Sequence, residues 1–306
     1  MGVLGDINST TLRDSLSRGD LRLKVGPYVY ELQSKLSLVQ EGLECLYSDF
    51  QVNTESGFSD YHIALRPSNL RQRMRGKLEF HFDNQKPFGD IAKTHAYAFL
   101  EWGMNWCVSV NTNEYLVLHA AVVAKDNVAL VMPGLPGAGK STLCAALALN
   151  GWRVLSDEHA MIQLGGSELI PLCRPVSLKN ESIDVIRTFD KAAVIGPETL
   201  DTHKGRVAHM KADMAKNSHN VTPVPARLMI FPQFAMGEGM NLTTKTKTES
   251  FMFAAHHSFN YSLLMDKGFE TMVELMDAVD CYDLHYGDLE QALQTIEKLF
   301  TDIANK

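Results

Sequence analysis

The sequence predicts an α/β (α+β) chain, with a mixed β-sheet core built around a phosphate-binding loop and an N-terminal β-rich subdomain ahead of it. Three observations predict this. Gly134-x4-Gly139-Lys140-Ser141 follows the apolar run Val128-Ala129-Leu130-Val131 and opens a helical stretch that stops at Gly151. Ahead of it, several short runs between residues 21 and 90 alternate apolar and polar side chains, the period of half-buried strands. Behind it, strand and helix patterns are mixed, and no long linker or low-complexity segment separates the N-terminal strands from the loop. The chain therefore reads as one continuous body in two parts: 1–114, β-rich with helices, and 115–306, which carries the loop.

Taken in order, residues 1–18 show a short helical pattern through Leu12 and Leu16. Residues 21–32 alternate around Gly26-Pro27, a hairpin signal. Over 37–50, Val39, Leu43 and Leu46 share one helical face. Strand alternation returns at 61–65 and 78–82. The basic run between them (Arg66, Arg71, Arg73, Arg75, Lys77) reads as a solvated hairpin loop, with guidance of an anionic ligand as the alternative. Residues 91–106 read as an apolar helix holding Tyr97, Leu100, Trp102 and Trp106. Strands are expected at 115–118 and 128–131 around Lys125-Asp126-Asn127, then a helix over 140–150 and a strand over 153–155. A hairpin over 160–164 and 169–172 turns at Gly165-Gly166, followed by a helix over 180–189 and a strand over 226–232. Helices close the chain at 249–256, 268–278 and 288–304. The last carries Leu289, Leu293, Ile296, Leu299, Phe300 and Ile303 at core-packing spacing.

Composition narrows the function classes. With 45% hydrophobic and 21% charged residues, the chain has the make-up of an ordinary globular protein. A net charge of −7 argues against general nucleic-acid binding and leaves room for a local basic pocket. The five cysteines form no CxxC pair, which favours buried thiols in a reducing compartment over disulfides or zinc. His209, His256 and His257 lack a third ligand at metal spacing and read as structural. No secretory pattern or membrane-length apolar run is seen, and Asp6 breaks the N-terminal lipidation motif. The expectation is a cytoplasmic protein with no membrane or nucleic-acid partner.

The loop carries the first chemistry. Its glycines let backbone N–H groups converge on phosphate oxygens, and the helix that follows adds its positive end. Gly134, Leu135, Pro136, Gly137, Ala138, Gly139, Lys140, Ser141 and Thr142 are the expected nucleotide contacts. Lys140 meets the β/γ-phosphates and the Ser141 hydroxyl reaches Mg2+. The second piece is Asp157-Glu158, two carboxylates at the end of an apolar strand, where a metal-holding acid is placed in such proteins. One can hold Mg2+ and the other can take a proton. Their repulsion is relieved by a divalent ion or by a raised pKa on one of them.

These pieces stand in a recognisable order: His119 at a strand end, Gly134–Thr142, then Gly151-Trp152-Arg153-Val154-Leu155-Ser156-Asp157-Glu158. This resembles the catalytic core of HPr kinase/phosphorylase, and the same order recurs in ATP-dependent phosphoenolpyruvate carboxykinase. From about residue 20 onward the chain is similar to the HprK-related kinase A family. That likeness rests on Leu118–Ala121, Arg174–Ser182, Lys204–His209, Phe259–Leu264 and Cys281–Leu289. The resemblance implies a carboxykinase-like P-loop fold with ATP and Mg2+ as cofactors, and phosphoryl transfer from ATP to a hydroxyl of a small molecule or of a serine-type peptide or protein acceptor. It implies Lys140 on the phosphates, Ser141 on Mg2+, Asp157 as base and His119 near the phosphate end. Glu158 replaces the second aspartate of the HPr kinase pair, so which acid is base and which is metal-associated stays open. HPr kinases assemble into hexamers, which points to a homo-oligomer.

The sequence also departs from that family. Nothing after the acidic pair matches the glycine-rich HPr kinase signature, and Arg174–Ser182 occupies its place. Arg174 and Lys179 are candidate substrate or phosphate clamps there, with Glu181 a further candidate metal ligand. Lys204 and Arg206, flanking Gly205, form a second candidate clamp. The departure leaves both a reverse phosphorylase activity and HPr as acceptor unassigned. The rival reading is a nucleotide-dependent ATPase switch that acts on a partner protein without phosphoryl transfer.

Overall fold

A computed structural model describes residues 2–55, 57–212 and 221–304. The first part of the chain runs through β1 (Gly2–Val3), α1 (Ser9–Arg18), β2 (Leu21–Val25), β3 (Tyr28–Ser34), α2 (Ser37–Leu46), β4 (Gln51–Asn53), β5 (Tyr61–Arg66), α3 (Leu70–Met74), β6 (Lys77–Phe82), β7 (Ile91–Ala92) and α4 (Ala96–Asn111). It continues through β8 (Tyr115–Lys125), β9 (Val128–Pro133), α5 (Lys140–Leu149), β10 (Arg153–Ser156), β11 (His159–Gln163) and β12 (Glu168–Ile170). Next come β13 (Val176–Lys179), α6 (Glu181–Phe189), β14 (Thr199–Thr202), β15 (Gly205–Met210), β16 (Val224–Phe234) and β17 (Asn241–Thr244). The last elements are α7 (Lys247–His256), α8 (Met265–Ala278), β18 (Asp280–Tyr286) and α9 (Leu289–Ala304).

Two compact units share these elements. One comprises Met1–Val108, Ser177–Arg187 and Lys191–Asn220; the other comprises Ser109–Val176, Thr188–Asp190 and Val221–Lys306. A single cut at 114/115 does not describe this division. The segments 177–187 and 191–220, read from sequence as part of the loop-bearing half, belong with the N-terminal residues.

In the first unit, strands run in the order β1-β4-β2-β3-β5-β6-β7. The β2–β3 hairpin turns at Gly26, whose φ of 58° suits glycine. Alternate residues of β3 (Tyr28, Tyr30, Leu32, Ser34) are buried. So are Leu12 and Leu16 of α1 and Val39, Leu43 and Leu46 of α2, as their helical spacing predicts. The basic run is a departure: Arg71 and Arg73 stand exposed on α3, a short helix capped by Asn69, where a loop was expected. The apolar helix also starts later than its composition suggests. Residues 91–95 form β7 and one 3-10 turn, and α4 runs on to Asn111. A separate sheet, β13-β15-β14, belongs to this unit.

The second unit is organised by β8. The β8–β9 hairpin closes through Asp126 (φ 48°) and Asn127 (φ 61°), the left-handed pair of a two-residue turn. β9 lies parallel to β16, and β16 lies parallel to β18. Along its other edge β8 pairs antiparallel with β10 and then β11. β11 continues to β12 and β12 to β16, so the neighbour relations return to the strand beside β9. Leu116, Leu118, Ala120, Val122 and Ala124 of β8 share one buried layer with Ala254 of α7 and Met272, Leu275 and Met276 of α8. Trp152, just after α5, packs on Phe300 of α9 at 4.8 Å and donates its indole N–H to Glu297. No helix among the described residues is long and apolar enough to cross a membrane, and no disulfide links the five cysteines.

Candidate active site

The glycine-rich turn joins β9 to α5, the strand-loop-helix setting that phosphate binding needs. Gly137 and Gly139 adopt φ of 85° and 90°. Gly139 takes the N-cap position of α5 without a side chain to cap the first-turn N–H groups, so that end can receive an anion. A Cβ on Gly139 would lie 2.5 Å from the Tyr286 hydroxyl and 3.1 Å from Phe234 Cβ. The loop therefore rests directly on the ends of β16 and β18, and Phe234 N donates to Ala138 O at 3.2 Å. Lys140 is buried, and its Nζ donates to the carbonyls of Gly134 (2.5 Å) and Leu135 (3.1 Å). Ser141 and Thr142 follow in the first turn of α5, half-buried.

Strand register places the acidic pair. Ser156 pairs with Val122 and His159 with His119, so Asp157 and Glu158 fall in the gap opposite Ala121 and Ala120. Across β8, those alanines pair with Met132 and Pro133, the last residues before the loop. One strand thus separates the carboxylates from the root of the glycine-rich loop, a Cα separation of about 10 Å at ordinary strand spacing. Ser109–Val176 of this unit therefore contains His119, the whole loop, Lys140, Asp157, Glu158 and Arg174. Asp157 and Arg174 are both buried.

Electrostatics agree with that placement. Burial, and then the Asp157 charge, push the Cys144 thiol of α5 well above its ordinary value, so Asp157 acts on the helix that follows the loop. His159 is fully buried, and that burial lowers its pKa to about 4. Glu158 opposes the shift, while Arg174 and His119 add to it. His119 and His159 are cross-strand partners, and both rings meet Phe259, at 5.7 and 5.0 Å. His159 Nε2 shares a 2.7 Å hydrogen bond with Ser109 Oγ, and its backbone N–H donates to Ser156 Oγ at 3.0 Å. This histidine ties the acidic turn to the end of α4. Sequence reading passed over it, although its position directly after the acidic pair was a usable signal.

A neutral buried histidine has a consequence for stability. Its folded pKa of about 4 lies below the unfolded 6.5, so the unfolded chain binds the extra proton first. The contribution is present above pH 6.5 and is lost as pH falls toward 4, up to about 3 kcal/mol. Denaturant unfolding of the wild type at pH 7.5 and pH 5 is expected to show this loss, and His159→Gln is expected to remove much of it. Equal pH sensitivity in the two proteins would place the acid-sensitive group elsewhere.

The remaining candidates gather in the other unit. Lys179, Glu181, Lys204 and Arg206 surround a turn pinned by Asn180. Asn180 Oδ1 accepts from Arg206 N (3.1 Å), its Nδ2 donates to Lys204 O (3.2 Å), and its own N–H donates to Arg206 O (3.0 Å). Gly205, at φ 80°, leaves the space that Asn180 fills, since a Cβ there would meet Asn180 Oδ1 at 2.2 Å. The structure therefore brings Lys179 to the second expected clamp, Lys204 and Arg206, and separates it from Arg174, its expected partner, which belongs to the other unit. Arg206 is engaged with Asp184 (2.6 Å) and Glu198 (3.2 Å), while Lys204 and Glu181 are exposed. His257 stacks on Phe253 and bonds to its carbonyl, in keeping with a structural role.

The residues present suit a nucleotide-borne Mg2+. The uncapped start of α5 at Gly139 offers first-turn N–H groups to phosphate, Ser141 offers a hydroxyl, and Asp157 and Glu158 offer carboxylates. Among the described residues no three His, Cys, Asp or Glu side chains converge on a metal position. Mg2+ needs one or two carboxylates, with phosphate oxygens and water completing its shell.

Comparison with known proteins adds little. No family model matches the chain. No curated protein matches it either. Among solved structures, the chain is similar to the HPr(Ser) kinase/phosphatase from Coxiella burnetii, at 15% identity over 61% of this chain and 94% of that one, with a TM-score of 0.29.

Proposed function

We propose that the chain is an ATP- and Mg2+-dependent kinase that transfers the γ-phosphoryl group to a hydroxyl of a small molecule or of a serine-type peptide or protein acceptor. The observation that supports this reading most is the register of β8, which sets Asp157-Glu158 one strand from the root of the Gly134–Thr142 loop. The loop N–H groups and Lys140 hold the β- and γ-phosphates, and Lys140 leaves the Gly134 and Leu135 carbonyls to do so. Ser141 and one of the two carboxylates would hold Mg2+, which would neutralise charge on the transferred group. Asp157 accepts the proton of the attacking hydroxyl, and Glu158 is the second acid of the pair. Arg174 and His119 bear on the same turn and offset charge on the equatorial oxygens. Lys179, Lys204, Arg206 and Glu181 belong to the other unit and take no role in this site.

The test is ADP formation. Purified protein, Mg2+ and ATP are incubated with separated fractions of a metabolite and peptide extract. ADP release is expected to rise sharply with the fraction that contains the acceptor. ADP release at one rate, whatever the fraction, would favour the ATPase switch.

A further inference from the structure

The hydroxyl of Tyr286 lies against the phosphate loop with no assigned task. Tyr286 ends β18 and is 1% exposed, in parallel register with Phe234 of β16. Its ring lies 5.5 Å from that of Phe234, and its carbonyl accepts from Ala235 N at 3.0 Å, so the side chain has a fixed base. The next residue is pinned too, because a Cβ on Gly287 would lie 2.5 Å from Glu238 O. The Tyr286 Oη sits 2.5 Å from where a Gly139 Cβ would be and makes no hydrogen bond among the described residues. The oxygen is not sealed from solvent, so its donor can pass from water to a ligand. Burial raises the phenol pKa, so the group keeps its proton and remains a donor at neutral pH.

We propose that Tyr286 is a nucleotide-binding residue whose hydroxyl donates a hydrogen bond to the β- or γ-phosphate held by the loop. The proposal rests on the nucleotide-binding part of the function proposed above. It assigns the far wall of the cradle to the end of β18. A neutral donor at this point adds to the backbone N–H groups without a second positive charge beside Lys140. The same contact requires glycine at 139, over and above the positive φ.

Tyr286→Phe tests this, since it keeps the ring and its packing on Phe234 and removes only the hydroxyl. Titration calorimetry of ATP, ADP, AMP and adenosine into both proteins, with Mg2+ present, is the measurement. ATP and ADP are expected to bind about tenfold more weakly to Tyr286→Phe, and AMP and adenosine equally well. The nucleotide-free melting temperature is expected to stay the same or rise. If the wild type binds ATP and Tyr286→Phe binds it equally tightly, the proposal fails and the kinase reading stands. An equal loss for adenosine also overturns it, because the effect is then not on phosphate. If the wild type binds no nucleotide, both fail together. A second measurement reads the contact itself. Gly139→Ala is expected to reduce ATP affinity strongly in the wild type and less in the Tyr286→Phe background, where the 2.5 Å clash is relieved and the φ strain remains. Additive losses in the double variant would contradict the placement of Oη.

Discussion

Lys140→Ala is expected to end measurable ATP turnover and to weaken ATP binding by roughly a hundredfold. The estimate follows from losing charge-assisted contacts to phosphate, worth about 1.5–3 kcal/mol each. The structure adds a reason to expect a folded variant. Lys140 Nζ donates to two carbonyls of its own loop, that of buried Gly134 and that of exposed Leu135, and water can replace the lysine at the second. The apolar residues behind it, Leu143 and Leu147, keep α5 in place. The check is calorimetric ATP affinity alongside a thermal melt. Unchanged affinity in a folded Lys140→Ala protein would show that the loop is not the triphosphate site.

Asp157→Asn is expected to separate binding from transfer. Asparagine has nearly the shape of aspartate and cannot serve as a general base, a role worth about 10^2 to 10^4 in rate. Nucleotide affinity is expected to change little, since the loop and Lys140 supply most of it. Stability is expected to hold or improve, because neutralising one of two adjacent carboxylates removes a repulsion. Single-turnover transfer with ATP already bound isolates the chemical step. Undiminished transfer by Asp157→Asn would move the base to Glu158, and Glu158→Gln would then carry the larger loss.

Much of this arrangement was legible in the sequence because the informative features are local. The loop and its flanking strand and helix lie within residues 128–149, and the two-residue turn at Asp126-Asn127 marks the hairpin that precedes them. The pairing of β8 with β10 and β11 could be suspected from the apolar run before Asp157. Its register could not, because it depends on contacts about forty residues apart. β18 was missed as a strand for a related reason. Its residues Asp280-Cys281-Tyr282-Asp283-Leu284-His285-Tyr286 mix charge with aromatics, and they become a strand by pairing with β16 and β17. The β13-β15-β14 sheet was missed because its strands are short and charged. The hydrogen bonds of Asn180 that pin its turn join residues more than twenty positions apart. The same long-range pairing assigns 177–187 and 191–220 to the N-terminal unit, which periodicity alone does not reveal.

The central claim is that the γ-phosphoryl group goes from ATP to a hydroxyl under the control of the loop and the acidic pair. The fate of the label from γ-labelled ATP in the acceptor-containing extract tests it most directly, with wild type and Asp157→Asn side by side. Label is expected in an acid-stable phosphoester with the wild type, and Asp157→Asn is expected to bind ATP and leave the label unmoved. Label recovered only as inorganic phosphate, at the same rate in both proteins, would contradict it.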